Sequence, residues 1–191
     1  GLQWIGEPGY MINTAKGIVD GYYYPAYREM DRPDEHKRFA SMVTRIDQVT
    51  GDLLETIRDL GIADNTLVVF SSDNGPHQES YIEGGHYDPT AFESYGAFQG
   101  EKRDVLEGGY RVPTIVWGPE MVKAGAVDNN PSQFHDWMAT FLDFADLPIP
   151  ARIDGVSLKP TIMGSGVQES GTVYTEYSVP NSTPSYFEHH A

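Results

Sequence analysis

Residues 66–77 decide the fold, and they read Thr-Leu-Val-Val-Phe-Ser-Ser-Asp-Asn-Gly-Pro-His. The first five are short, rich in β-branched residues and continuously apolar, which is typical of a strand buried on both faces in a parallel sheet. The polar residues follow at the carboxyl end of this strand, where ligands collect in open α/β sheets. We therefore expect a sheet-based fold with chemically active side chains just beyond the strand.

A helical pattern precedes this strand. From about Glu35, apolar residues recur every three or four positions, which predicts one amphipathic helix that stops at Gly61. The apolar stripe consists of Phe39, Met42, Val43, Ile46, Val49, Leu53, Ile57 and Leu60. Charged residues lie mostly off this stripe. The helix should therefore have one apolar face.

Three further elements are expected after residue 77. The apolar run Thr114–Trp117 predicts a second strand, and residues 134–147 have the spacing of a second amphipathic helix with Ser132 as its N-cap. The alternating residues 172–177 predict a half-exposed strand. The order helix, strand, loop, strand, helix predicts an α/β fold in helix–sheet–helix layers.

Composition excludes several classes of protein. The 191 residues carry 13 Lys+Arg against 28 Asp+Glu, so the formal net charge is −15. This charge argues against nucleic acid and anionic membrane surfaces as partners, because both would be repelled. The chain has no Cys, which excludes disulfides, a thiolate metal site and a Cys nucleophile. No run of about 18 apolar residues exists, so we expect no membrane span.

The polar residues after the first strand can be interpreted in two ways. Asp73 and Asn74 each offer a hard oxygen ligand, which suits Ca²⁺ or Mg²⁺, and Gly75 lets the chain turn back without steric cost. The alternative is an ordinary turn, since Asn-Gly is a strong hairpin signal. His77, taken alone, is more often an ordinary surface or core histidine than a catalytic one.

A second cluster of charges and glycines spans residues 100–113. Lys102 is a compact cation that could hold a tetrahedral oxyanion, and the paired glycines at 108 and 109 allow close approach of the backbone. The alternative is a solvated loop in which Lys102 and Arg103 pair with Glu101 and Asp104. Local sequence favours this second interpretation.

Taken together, the two stretches resemble the type I (formylglycine-dependent) sulfatases of the alkaline phosphatase superfamily. The order and spacing agree over roughly residues 37–164. The matching motifs are Met42-Val43-Thr44-Arg45-Ile46-Asp47, Ser72-Asp73-Asn74-Gly75-Pro76-His77, Gly100-x-Lys102, Glu107-Gly108-Gly109-x-Arg111-Val112-Pro113 and Asp154-Gly155-x-Ser157-Leu158-x-Pro160. Each motif is weak alone, but the set is specific.

The resemblance implies a partial alkaline-phosphatase-like sulfatase domain with roles for individual residues. Asp73 and Asn74 match ligands of the active-site Ca²⁺. Lys102 matches the lysine that contacts the sulfate ester, and His77 matches a position beside the substrate pocket. In the motif that follows, Glu107 and Arg111 match framework residues that fix the loop.

Part of the family's active site has no counterpart in this sequence. The family's nucleophile lies in a Cys/Ser-x-Pro-x-Arg motif, whereas the nearest string here, Ser178-Val179-Pro180-Asn181-Ser182, lacks the Arg. The paired aspartates that complete the calcium shell are also missing. We therefore interpret the chain as a piece of a longer enzyme, with an incomplete Ca²⁺ site and no turnover of its own.

The expected organisation follows from this resemblance. Residues 1–35 form an irregular aromatic, Gly- and Pro-rich segment, residues 36–164 form the C-terminal half of the catalytic domain, and residues 165–191 begin a strand region. The parent is expected to be a sulfuric ester hydrolase acting on a sulfated small molecule or glycan. If half of a larger domain is absent, one sheet edge and some helix faces should be uncovered, and this surface is expected to cause self-association or poor solubility.

Two other functions stay open at this point. One is a phosphoryl or phosphonate hydrolase of the same superfamily, in which the metal-site carboxylates recur. The other is a non-catalytic pseudoenzyme that binds sulfated glycans, because the nucleophile motif is missing.

Overall fold

A computed structural model describes residues 2–5, 10–13, 25–77, 88–169 and 173–176. Strands β1 (Leu2–Ile5) and β2 (Tyr10–Asn13) pair antiparallel, with Leu2 opposite Asn13. This hairpin lies within the segment that was expected to be irregular. The run Tyr22–Tyr24 falls outside the described residues.

The chain divides into two compact units, which are taken separately below. The first consists of residues 1–56 and 73–112, and the second of residues 57–72 and 113–191. Besides the strands above, the helices that begin in the first unit are α1 (Pro25–Arg28), α2 (Asp34–Asp59), a 3₁₀ turn (Pro89–Phe92) and α3 (Glu107–Tyr110). The second unit holds a 3₁₀ turn (Ala63–Asn65), β3 (Val68–Ser71), β4 (Thr114–Trp117), α4 (Asp136–Phe144) and α5 (Lys159–Met163).

Helix α2 confirms the prediction from the apolar stripe. It ends where glycine was expected to end it, because Gly61 takes a positive φ of 66° and its N–H donates to the Arg58 carbonyl at 2.9 Å. The N–H of Ile62 then reaches the Ile57 carbonyl at 3.3 Å. These two bonds satisfy carbonyls that the last helical turn would otherwise leave open.

Much of the stripe on α2 is exposed. Val43, Ile46, Val49 and Leu53 are 51%, 52%, 58% and 51% accessible. The expectation that some helix faces would be uncovered is therefore confirmed for this helix. A contiguous exposed apolar face of this kind is typical of a surface that binds a partner.

The amino-terminal end of α2 is packed on Phe92 within the first unit. The Phe92 ring stacks on Phe39 at a centroid distance of 6.2 Å and meets His36 edge-on at 6.0 Å. The Arg32 guanidinium lies 5.8 Å from the same ring. His36 is buried in this aromatic cluster.

The two predicted strands exist, but they pair antiparallel, so the parallel arrangement was wrong. Val68 lies opposite Trp117, and Ser71 lies opposite Thr114, with their hydroxyl oxygens 3.1 Å apart. Burial on both faces was also wrong, since Phe70 of β3 is 36% exposed and Ile115 of β4 is 62% exposed. An apolar run favours a strand, but it does not encode the direction of the strand beside it.

Helix α4 is shorter than predicted, and Ser132 is not its N-cap. His135 occupies that position without a side-chain cap. The carboxylate of Asp136, the first residue of the helix, instead binds segments outside it: it accepts the backbone N–H of Gln133 at 2.6 Å and that of Val156 at 2.9 Å. Asp136 is only 4% exposed, so it joins the helix start to the segment around Val156.

The segment with the sequence Asp154-Gly155-Val156-Ser157-Leu158 packs closely on α4. A Cβ at Gly155 would overlap the carbonyl oxygen of His135. The N–H of Leu158 donates to the hydroxyl of the fully buried Thr140 at 2.9 Å. This motif of the sequence therefore serves the packing of the second unit.

The predicted strand at 172–177 is wrong for its described part, residues 173–176, which have no strand partner among the described residues. Half-buried and exposed residues still alternate there. The Tyr174 hydroxyl donates to the Glu176 carboxylate at 2.6 Å, and this bond raises the pKa of Tyr174. Among the helices described, none combines the length and the apolar character that crossing a bilayer requires.

Candidate functional site

Two loops of the first unit lie against each other, and both carry residues that the sequence singled out. One is residues 73–77, which follow β3 directly, and the other is residues 99–111. The N–H of Gly75 donates to the carbonyl oxygen of Gly109 at 2.8 Å. A Cβ at Gly75 would overlap the carbonyl oxygen of Gly108. Glycine is required here because the two backbones touch.

A second backbone bond joins these loops at Lys102. Its N–H donates to the carbonyl oxygen of Pro76 at 2.7 Å. The backbone of Lys102 is therefore held against the loop that carries Asp73, Asn74 and His77. These bonds hold together the backbones of two stretches that are far apart in the sequence.

The oxygen donors of the first loop differ in how they are held. Asp73 is exposed, and no hydrogen bond to its carboxylate is found among the described residues. The Asn74 side-chain amide donates to the Gly75 carbonyl at 2.8 Å, which fixes the orientation of that amide. An exposed carboxylate beside an oriented amide suits a hard cation.

These residues supply only part of a calcium shell. Ca²⁺ takes about 6–8 oxygen ligands, and Asp73 and Asn74 contribute two side chains. Within the ranges that the structure describes, no group of three or more His, Cys, Asp or Glu side chains could hold a metal ion. The donor chemistry thus fits Ca²⁺, while the number of ligands does not complete a site.

His77 and Arg111 have different surroundings. His77 is half-buried, next to the Pro76 that receives the Lys102 N–H. Arg111 is held on two sides: its guanidinium contacts the Glu107 carboxylate at 2.8 Å and lies 4.5 Å from the centre of the Phe98 ring. These contacts give Arg111 the surroundings of a framework residue.

The sequence did not reveal what holds the turn around Lys102. The carboxylate of Asp104 accepts the backbone N–H of Glu101 at 2.9 Å, and the N–H of Asp104 returns to the Glu101 carbonyl at the same distance. The sequence of this loop suggests Asp104 only as an ion-pair partner of its basic neighbours. The available signal was its position three residues after Glu101, which is a spacing that closes a turn.

The two glycines of this loop, at 108 and 109, pack closely against backbone atoms. Gly108 is buried, and its N–H donates to the Gln99 carbonyl at 2.6 Å. A Cβ at Gly108 would overlap the carbonyl oxygens of Gln99 and Gly100. Both glycines at 108 and 109 are thus needed for close backbone contacts, as the sequence suggested.

Comparison with protein families identifies what the chain is similar to. The family model described as Sulfatase matches residues 17–147. The human N-acetylgalactosamine-6-sulfatase is 34% identical over 160 residues, which cover 82% of this chain and 29% of that relative. The N-acetylglucosamine-6-O-sulfatase of Bacteroides thetaiotaomicron is 34% identical over 128 residues, covering 67% of this chain and 20% of the relative.

Solved structures give the same result. BT4656 in complex with its substrate D-glucosamine-2-N,6-O-disulfate superposes with a TM-score of 0.60 at 28% identity, over 80% of this chain and 28% of that one. The PsFucS1 sulfatase from Pseudoalteromonas sp. gives a TM-score of 0.57 at 27% identity, over 81% and 30%. The chain spans less than a third of the length of these relatives.

Proposed function

The chain belongs to the sulfatase family of sulfuric ester hydrolases, within the alkaline-phosphatase-like superfamily, and we propose that the whole protein hydrolyses sulfate esters of a carbohydrate. Two relatives are sulfatases of N-acetylated amino sugars, and BT4656 was solved with a disulfated glucosamine. Sulfated amino sugars are therefore the first substrates to test.

One observation carries this proposal: the N–H of Lys102 is bonded to the Pro76 carbonyl at 2.7 Å. It joins a cation to the loop that carries Asp73 and Asn74. In sulfate ester hydrolysis, negative charge builds on the oxygens around sulfur, and preplaced cations stabilise it. Because the chain carries −15 overall, this stabilisation has to come from local groups.

The proposed roles follow from the chemistry of each side chain. Lys102 and His77 contact the sulfate group, with Lys102 holding its oxygens by charge. Asp73 and Asn74 hold part of the coordination shell of Ca²⁺, on which the family generally depends. When bound, the calcium ion supplies further positive charge next to the sulfate oxygens.

The two alternative functions are not favoured by the comparisons, since the relatives are sulfatases. A direct test uses the whole protein that contains this chain. We expect turnover of p-nitrophenyl sulfate and of 6-O-sulfated N-acetylhexosamines, and much slower turnover of p-nitrophenyl phosphate. Preferred hydrolysis of the phosphate would support the phosphoryl hydrolase, and turnover of neither ester would support the binding protein.

Two substitutions in the whole protein test the site itself. Asp73→Ala should nearly abolish turnover, because a calcium ligand is lost. Lys102→Ala should lower kcat by about 100-fold or more, on the scale of removing one preorganised charge donor. Full activity of both variants would show that the site is wrongly placed.

The exposed face of α2 supports self-association of this chain. Val43, Ile46, Val49 and Leu53 form an apolar stripe that is half-exposed along its length. The occupant that we propose is α2 of a second copy, arranged antiparallel. In that arrangement Arg45 of one copy lies beside Asp52 of the other on the same flank of the stripe, because the two residues are seven positions apart, or two helical turns.

A further inference from the structure

Asp104 closes the turn that carries Lys102 with both its side chain and its backbone. Its carboxylate accepts the N–H of Glu101 at 2.9 Å, and its own N–H donates to the Glu101 carbonyl at 2.9 Å. Lys102 and Arg103 are the two central residues of this turn. Two hydrogen bonds between Glu101 and Asp104 therefore close the turn that contains the Lys102 backbone.

This turn holds a backbone conformation that an ordinary residue avoids. Arg103 has a φ of 84°, in the region that favours glycine. A residue keeps such a conformation only when its surroundings fix it. The hydrogen bonds of Asp104 span Arg103 directly, so they are well placed to fix it.

Packing leaves Asp104 little room to move. Gly100 has a φ of 92°, and a Cβ there would lie 3.1 Å from the Asp104 Cβ. A Cβ at Gly109 would overlap the backbone carbonyl oxygens of Asp104 and Glu101. The turn is thus pressed against Gly109, the residue whose carbonyl accepts the Gly75 N–H.

We propose that Asp104 is a positioning residue for Lys102, and this inference rests on the sulfatase function proposed above. Lys102 has two anchors: the Pro76 carbonyl holds its N–H, and the Asp104 carboxylate fixes the turn around it. A cation stabilises a transition state best when it is already in place before charge develops. Without the carboxylate, the turn around Lys102 loses one of the bonds that close it, and the Lys102 ammonium group samples more positions.

The test is a set of variants of the whole protein, assayed with an aryl sulfate. Asp104→Ala removes the acceptor, whereas Asp104→Asn keeps a side-chain oxygen that can accept the Glu101 N–H. Asp128→Ala is the matched control, because Asp128 likewise accepts a backbone N–H, from Asn130, but lies in the second unit. The melting temperature of each variant is measured alongside kcat and KM.

We expect Asp104→Ala to lower kcat about tenfold with little change in KM, and Asp104→Asn to stay within about twofold of the parent. The decisive measurement is the double variant. If Asp104 acts through Lys102, then Asp104→Ala should change kcat by less than about twofold in a Lys102→Ala background.

Other outcomes of these assays would contradict either the positioning role of Asp104 or the proposed function of the site. An equal loss from Asp104→Ala with and without Lys102 would overturn the inference, and so would an Asp104→Asn variant as poor as Asp104→Ala. Full activity of Asp104→Ala would also overturn it. If Lys102→Ala itself keeps full activity, the proposed function of the site fails instead, and this outcome is read from the single variant alone.

Discussion

Gly75 donates its N–H to the carbonyl oxygen of Gly109, 34 positions later in the sequence, at 2.8 Å, so their two loops touch through their backbones. One loop carries Asp73, and the other carries Lys102. Neither glycine has room for a side chain, because a Cβ on either would overlap a backbone oxygen. Close backbone contact is therefore what assembles the candidate site.

The first prediction concerns Gly75. Gly75→Ala should destabilise the first unit by about 1–3 kcal/mol, since the new Cβ has to displace backbone atoms. Gly51→Ala is the control, because a Cβ at that helical position meets nothing within 4 Å and should stabilise by about 0.5–1 kcal/mol. Urea unfolding of the 191-residue chain measures both. Equal stability of Gly75→Ala and the parent would contradict the close contact.

Helix α2 and the two strands show what a sequence can predict about this fold. The period of the apolar stripe located α2 almost to the residue, and Gly61 located its end, because both signals are local. The direction of β4 beside β3 was not predictable, since it depends on the path of the loop between them. The hydrogen bonds of Asp136 were not predictable either, because one of its partners, Val156, lies 20 positions away.

The site was predictable to a similar extent. Asp73 and Asn74 stood out by their chemistry and by their place after a strand, and Lys102 stood out by its charge beside glycines. The resemblance to sulfatases then brought them together. The role of Asp104 could not be deduced, because its carboxylate serves a backbone N–H rather than one of the nearby cations. Charge alone favoured ion pairs in that loop.

The second prediction concerns Asp136 in the second unit. Its carboxylate is 4% exposed and accepts two backbone N–H groups, so Asp136→Ala leaves two donors without an acceptor. We expect a loss of about 2–4 kcal/mol in the free energy of unfolding. Asp136→Asn should lose less, because its oxygen can still accept one of the bonds. A loss below about 1 kcal/mol for Asp136→Ala would contradict the role of this carboxylate.

The third prediction is self-association through α2. Arg45→Glu or Asp52→Arg alone should raise the dissociation constant about tenfold, because each places like charges beside each other. The double variant Arg45→Glu/Asp52→Arg should restore the affinity. Glu55→Arg is the control, since this residue lies on the side of α2 opposite the stripe. Sedimentation that shows a monomer at all concentrations, or no recovery in the double variant, would rule out the antiparallel pair.

The last prediction is that the 191-residue chain turns over no sulfate ester and binds Ca²⁺ weakly. Asp73 and Asn74 supply two ligands where Ca²⁺ takes about 6–8, so the cost of removing water from the ion is poorly offset and millimolar affinity is expected. Turnover is also blocked because the chain has no Cys, and neither of its two Ser-x-Pro strings, at Ser178 and Ser182, is followed by the family's Arg. Lys102 can attract a sulfate, but charge without a nucleophile leaves only slow attack by water.

Calorimetric titration with Ca²⁺ measures the affinity of the purified chain for calcium, and an aryl sulfate assay measures its turnover. Asp73→Ala should abolish the weak calcium signal, whereas Asp128→Ala, which removes a carboxylate of the second unit, should leave it unchanged. Micromolar binding that survives Asp73→Ala, or robust turnover, would place the active site elsewhere in the chain.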